Sequence, residues 1–263
     1  YYSKRILLIH WTKPFALTEF LVPPKLGIDW RPKGWLKEIV ENRLTVGVED
    51  YGQGRILDLA MNPEIVLVRS RMQDYHGGRW WYDEQVIENE APFQTVFHEI
   101  WKTVFTPSIA VKKRLETTMA DMNLTPYTYT AAHCRVLYAM DDREEWVKKT
   151  WAENAVNCAS ELRPQTTIFF TSDSANATYY AQQYVQDHNR SVRIATRVPN
   201  PNPPLHIDFE WKGRPASDFV DGFVDLYILA SADCVTYNKG GYGILGSFMG
   251  RNASCSMRQD AIS

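Results

Sequence analysis

The order of apolar and polar positions divides the chain near residue 125. Upstream the pattern is irregular. An apolar run, Arg5 to His10, reads as a strand and leads into a Pro- and Trp-rich stretch from Trp11 to Pro32. Its prolines fix φ and lack a backbone donor, so the stretch should wrap the surface as neither helix nor central strand. Glu64 to Arg69 reads as a second, continuously apolar strand. Trp80-Trp81-Tyr82 follows a Gly77-Gly78 turn. Phe93, Phe97, Ile100, Trp101 and Val104 share one helical face, and Ile109, Lys112, Leu115 and Met119 share another after Pro107.

Downstream, strand and helix patterns alternate. Thr128 to Tyr138 predicts a strand. Asp141 to Leu162 predicts an amphipathic helix, with Val147, Trp151, Ala155, Cys158 and Leu162 on one side and Asp141 and Asp142 as capping material. Thr166 to Phe170 predicts a short buried strand, Ala175 to Asp187 a helix, and Ser191 to Thr196 a strand. After a Pro-rich loop at 199–204 come a helix from Phe219 to Ala232, a strand from Cys234 to Tyr237, and a last helix opened by Gly240-Gly241 and running to Met249. Repeated β-α-β units predict an α/β fold with a doubly wound, mainly parallel sheet, whose ligands sit at the carboxyl ends of the strands. Residues 1–125 and 126–263 are expected to form two lobes.

The 263 residues carry a net charge of −2, which removes the polycation character that bulk nucleic-acid binding needs. Nine Trp and 13% aromatics suit a globular core and carbohydrate or nucleotide clefts. No apolar run reaches the roughly 18 residues of a membrane span. The abrupt start at Tyr1 reads as a trimmed chain from which an anchor or targeting segment is missing. Cys134, Cys158, Cys234 and Cys255 form no CxxC pair, so zinc is not expected. Buried free thiols are the simplest reading; if one disulfide forms, Cys255 in the polar tail is its expected member. Asn123, Asn176, Asn189 and Asn252 each head a glycosylation sequon, favouring a secretory-pathway lumen.

Three loops at predicted strand ends could carry chemistry. His133 and Arg135 are two apart on a strand, so their side chains share a face. The forked Arg donor suits phosphate oxygens; a solvent-facing pair on an edge strand is the alternative. Thr171-Ser172-Asp173-Ser174 follows a buried strand. These residues either cap the next helix or offer Asp173 to a nucleobase or ribose. In Tyr237-Asn238-Lys239-Gly240-Gly241-Tyr242-Gly243 the glycines permit close approach of a ligand, and a helix N-terminus favours phosphate. Together the three loops outline a pocket for a nucleoside diphosphate.

Those segments resemble the GDP-fucose-dependent fucosyltransferase superfamily, which includes the α-1,6-, protein O- and xyloglucan fucosyltransferases. His133-Cys134-Arg135 resembles its His-x-Arg motif, Thr171 to Ser174 its Thr-Asp-Ser/Asp segment, and Asp225 through Gly243 its final helix–strand–Gly/Ser loop. The likeness covers roughly residues 126–250, with a fainter one over Arg5 to Trp30. It implies a GT-B arrangement of two Rossmann-type lobes and inverting transfer of fucose from GDP-fucose to a glycan or glycoprotein acceptor. It also implies donor binding without metal or other cofactor, in the Golgi or ER lumen on a type II anchor. Carried over, Arg135 would hold the β-phosphate and stabilise departing GDP. His133 would touch guanosine, Ser172 and Asp173 the nucleotide, with Asp173 on guanine. Tyr237, Asn238, Lys239, Gly240, Gly241 and Tyr242 would line the last loop. Val136-Leu137-Tyr138 stand where the family motif continues with a second cation and a carboxylate, and Asn238-Lys239 stand where hydroxyl residues are usual. Either Lys239 supplies the missing charge, or donor binding is altered or lost. Candidate general bases are Asp74, His76 and Asp208, though His206-Ile207-Asp208 could equally close a loop. A catalytically inactive relative that binds sugar or protein is the alternative function, and a periplasmic-type sugar-binding domain is a third.

Overall fold

The computed structural model describes residues 14–31, 33, 93–136, 144–188, 191–197, 205, 207, 210–252 and 254–259. The strands expected at Arg5 to His10 and Glu64 to Arg69, the Trp80 segment, Asp74, His76, Asp208 and Asn189 lie outside them.

The described elements run β1 (Leu21–Val22), α1 (Phe93–Val104), β2 (Thr106–Pro107), α2 (Ile109–Asp121), β3 (Thr130–Cys134), α3 (Glu145–Leu162), β4 (Ile168–Ser172), α4 (Ala175–Asp187), β5 (Ile194–Ala195), α5 (Val220–Ala230), β6 (Cys234–Tyr237), α6 (Gly241–Met249) and β7 (Ser256–Arg258). β1 and β2 form a small antiparallel ribbon. The other strands form one parallel sheet in the order β5-β4-β3-β6-β7. From β3 the chain winds outward through β4 to β5. It then returns to place β6 on the other side of β3. The order therefore reverses between β3 and β6, and the carboxyl ends of these two strands open a crevice, the usual ligand position in such sheets.

Side-chain alternation builds a core on each face. Ala131, Phe169, Ala195 and Val235 pack against α2 and α5 through Val111, Met119, Val224, Ile228 and Leu229. Ala132, Cys134, Ile168 and Phe170 pack against α3 and α4. Each fully buried Ile or Phe contributes about 1.5–3 kcal/mol by leaving water. The Pro- and Trp-rich stretch joins the first core through Phe20 and Leu21, and Trp30 anchors it by donating Nε1–H to Val104 O at 2.6 Å. Residues on both sides of position 125 thus share one core.

Several elements differ from the sequence pattern. β3 spans five residues and β5 two, shorter than predicted. α3 begins at Glu145, and its buried side is Lys148, Ala152, Ala155, Val156 and Ala159, which shares Ala155 with the predicted face but leaves Val147, Trp151, Cys158 and Leu162 only partly buried. The alanines win that face because only small side chains let a helix lie close to both sheet and neighbouring helix. Ile100 and Ile109 are exposed, not on the buried faces expected for them. β7 had no apolar signature. It is fastened by a Cys234–Cys255 disulfide, while Cys134 and Cys158 are free. The free-thiol reading therefore holds for two cysteines and fails for the pair containing Cys255. Among the described residues no helix is long and apolar enough to cross a membrane.

Candidate functional site

Arg135 stands one residue beyond β3, in the crevice at the reversal. Its main chain cannot continue the ladder, and the side chain of Asn238 substitutes for a strand. Asn238 Oδ1 accepts from Arg135 N at 2.8 Å, and Asn238 Nδ2 donates to Arg135 O at 3.0 Å. The Asn238 amide is thus committed to holding Arg135, where the sequence pattern suggested a phosphate contact. Gly240 adopts φ +94°, and a methyl there would fall 2.6 Å from Arg135 Nη1. Glycine is required at this position twice over, for its backbone angle and for room beside the guanidinium.

Asp173, at the end of β4, completes the cradle. Its Oδ1 accepts from Val136 N at 2.7 Å, and its Oδ2 lies 4.0 Å from Arg135 Nε. Ser172 and Ser174 of that loop serve local structure. Ser172 Oγ accepts from Ser174 N at 3.1 Å, and Ser174 caps α4 by accepting from Ala177 N. The capping alternative for this loop therefore applies to Ser174, and Asp173 is the member turned toward Arg135.

His133 and Arg135 share a face, as their spacing predicts. His133 is in register with Thr171 and Tyr237 and is buried. Its ring stands 5.1 Å from that of Tyr242 on α6. A methyl at Gly243 would fall 2.8 Å from His133 Nδ1, so α6 approaches the sheet closely here. Burial lowers the imidazole pKa to about 3, with the Arg135 charge acting in the same direction. The ring is therefore neutral near pH 7. The Tyr242 hydroxyl donates inward to Gly222 O. Burial and the nearby Asp225 carboxylate push that phenol well above its ordinary range, keeping it a neutral donor.

Lys239 is exposed, and its Nζ lies 5.6 Å from the centroid of the Trp151 ring on α3. Gly240 and Gly241 open α6 with no side-chain cap, leaving the first amides of the helix directed at the crevice. Arg197 was not singled out by the sequence pattern, and Asp225 entered it only as the first residue of the segment that resembles the family's last helix, strand and loop. Arg197, just past β5, donates to Asp225 at 2.5 and 3.0 Å and pairs with Asp221 at 2.6 Å. Asp225 also accepts from Thr171 Oγ1 at 2.8 Å. An Arg following a two-residue strand and an Asp in the middle of an apolar helix have no local pattern that marks them as partners. Of the sequon residues, Asn123 is exposed on a turn, Asn176 donates to Glu145, and Asn252 donates to Asp233. Among the described residues no group of three or more His, Cys, Asp or Glu could hold a metal ion.

No family model and no curated protein matches the chain. Solved structures do match. One is a point mutant of FUT1 from Arabidopsis thaliana in complex with GDP, which superposes with a TM-score of 0.62 at 13% identity over 97% of this chain. The chain has the fold of that GDP-bound protein. The α/β, GT-B-like class expected from the sequence therefore stands, with the parallel sheet as its C-terminal part. The chain spans 63% of the length of the FUT1 chain. At this identity the likeness is one of fold.

Proposed function

We propose that the protein is a glycosyltransferase that takes a GDP-sugar, GDP-fucose, and passes the sugar with inversion to a glycan or glycoprotein acceptor in the Golgi or ER lumen. The observation that carries this reading is the held Arg135. Its backbone is held by Asn238, and its guanidinium lies 4.0 Å from Asp173 in room that only a glycine at 240 leaves, in the crevice at the strand-order reversal beside the uncapped start of α6. Cleaving a sugar–phosphate bond builds negative charge on the departing diphosphate. A cation fixed in advance at that place stabilises the transition state more than the ground state. Neutral His133 and the Tyr242 ring, tilted 38° to it, offer an aromatic edge for the nucleoside. Donor binding is proposed to need no metal. The GDP held by the structurally similar FUT1 supports the choice of nucleotide. The Cys234–Cys255 disulfide supports an oxidising lumen.

Calorimetry with GDP, with UDP as control and without metal, tests the donor reading. GDP should bind and UDP should not, and Arg135→Ala should weaken GDP by about 1.5–3 kcal/mol. Folded protein that ignores GDP would overturn it. A non-catalytic relative is the second reading. It is favoured by Asp173, whose carboxylate 4.0 Å from Arg135 Nε offsets the charge a diphosphate would meet. GDP binding with no sugar transfer to any acceptor would select it.

A further inference from the structure

The donor reading leaves a charge deficit at the crevice. A nucleoside diphosphate carries at least two negative charges, yet the cations nearest the crevice already face carboxylates: Arg135 faces Asp173, Arg197 faces Asp221 and Asp225, and Lys148 faces Glu145. Two cations at the carboxyl edge have no carboxylate partner among the described residues, Lys239 and Arg258. Arg258 lies on the edge strand β7, one strand further from β3. Lys239 immediately precedes Gly240, where an added methyl would fall 2.6 Å from Arg135 Nη1.

Lys239 also has a distinctive resting place. Its ammonium sits 5.6 Å from the Trp151 ring centroid, while its main chain belongs to the loop that opens α6. A partly solvated cation–π contact is favourable but weak. That holds a flexible four-carbon stem in one place, yet is weak enough to yield to a phosphate oxygen. We infer that Lys239 is a two-position cation: it rests on Trp151 in the empty protein and swings to the terminal phosphate of a bound nucleoside diphosphate, supplying the second positive group of the site. This rests on the donor reading and deepens it. It makes affinity depend on the terminal phosphate through a residue other than Arg135, and it gives the site an optical reporter, because the ammonium leaves the indole as the ligand enters.

Binding of GDP and of GMP should be measured by calorimetry for the full chain and for Lys239→Ala, Trp151→Phe and Arg258→Ala, with tryptophan emission followed in the same titrations. Lys239 is exposed, so its removal should leave the circular dichroism unchanged and lower the unfolding midpoint only slightly, through loss of the Trp151 contact. The expected result is a roughly tenfold loss of GDP affinity in Lys239→Ala with GMP affinity within about twofold of the parent, as for an ion pair to one phosphate. An emission change on GDP saturation should vanish in Trp151→Phe. Unchanged GDP affinity in Lys239→Ala sinks the inference and leaves the donor reading intact. So does a loss confined to Arg258→Ala, which would give the role to that residue. A GDP titration with no change in Trp151 emission removes the resting position. No GDP binding by the parent overturns the donor reading and the inference together.

Discussion

The side chain of Asn238 pairs with both sides of the Arg135 backbone, accepting from its N–H at 2.8 Å and donating to its C=O at 3.0 Å. One amide does the work of an extra strand, carrying the ladder of β3 one residue further at the point where β6 has ended. Asn238→Ala would leave a partly buried N–H and C=O without partners, at about 1–3 kcal/mol for each group left unmade. A loss of about 2 kcal/mol in urea unfolding is expected, together with weaker GDP binding as Arg135 shifts. Asn238→Asp keeps the acceptor and loses the donor, so it should fall between the parent and the alanine variant. Equal midpoints for parent and Asn238→Ala would show that the pairing is incidental.

Gly240→Ala separates binding from stability. The backbone conformation, φ +94° and ψ 160°, lies in a region essentially reserved for glycine and costs an L-residue about 1–3 kcal/mol. The new methyl meets Arg135 at Nη1 and Cδ, the mobile part of that side chain, so strain is relieved by displacing the guanidinium. Stability should fall by about 1 kcal/mol, whereas GDP affinity should fall about tenfold. Gly222→Ala provides the control. A methyl there meets nothing within 4 Å, and GDP affinity should stay at the parent value. If both variants bind GDP as the parent does, Gly240 has no part in holding the cation.

The sequence was most informative where one strong local signal decided the structure. Ala175–Asp187, Cys234–Tyr237 and the glycine-opened α6 are found where periodicity and Gly-Gly placed them. The shared face of His133 and Arg135 followed from strand geometry alone. Pairings between distant segments were not legible. No pattern announces that Asn238 would spend its amide on a backbone about a hundred positions earlier, or that Lys239 would lean on Trp151 across the sheet. The predicted face of α3 was right at Ala155 and offset elsewhere, because hydrophobic size was allowed to choose it. Close packing against α4 and the sheet set Ala152 and Ala159 beside Ala155, and left Trp151 at the rim.

Arg197 and Asp225 are expected to be a structural pair of large effect. Their side chains are 24% and 11% exposed, and they tie the end of β5 to α5 while Thr171 ties the same carboxylate to β4. Removing one partner of a mostly buried pair strands the other charge, a cost of about 3–5 kcal/mol. The residual exposure of Arg197 argues for the lower end. Arg197→Ala should therefore destabilise by about 3 kcal/mol. The double variant Arg197→Met with Asp225→Leu should recover part of that loss, because the Asp225 charge is removed with its partner and Asp221 keeps its pair with Arg114. A double variant less stable than the sum of the singles would mean the network does more than satisfy itself.

His133 should make stability depend on pH in a window of its own. Its folded pKa is lowered to about 3 by burial and by Arg135, against about 6.5 when unfolded. The unfolded chain therefore binds more protons between these values. The contribution is fully present above pH 6.5 and is lost as pH falls toward 3, at about 1.4 kcal/mol per pH unit. Glu145, held at about 2 by hydrogen bonds from Tyr180, Lys148 and Asn176, acts in the same direction, but only below its unfolded value of about 4.3. The interval from pH 6.5 to 5.0 thus isolates the imidazole. Over it the parent should lose about 2 kcal/mol more than His133→Gln, whose amide does not titrate. Urea midpoints of the two proteins at these two pH values decide the matter. Parallel losses would mean that the ring is solvated enough to take its proton in the folded state, and hence that the wall it forms with Tyr242 is open to water.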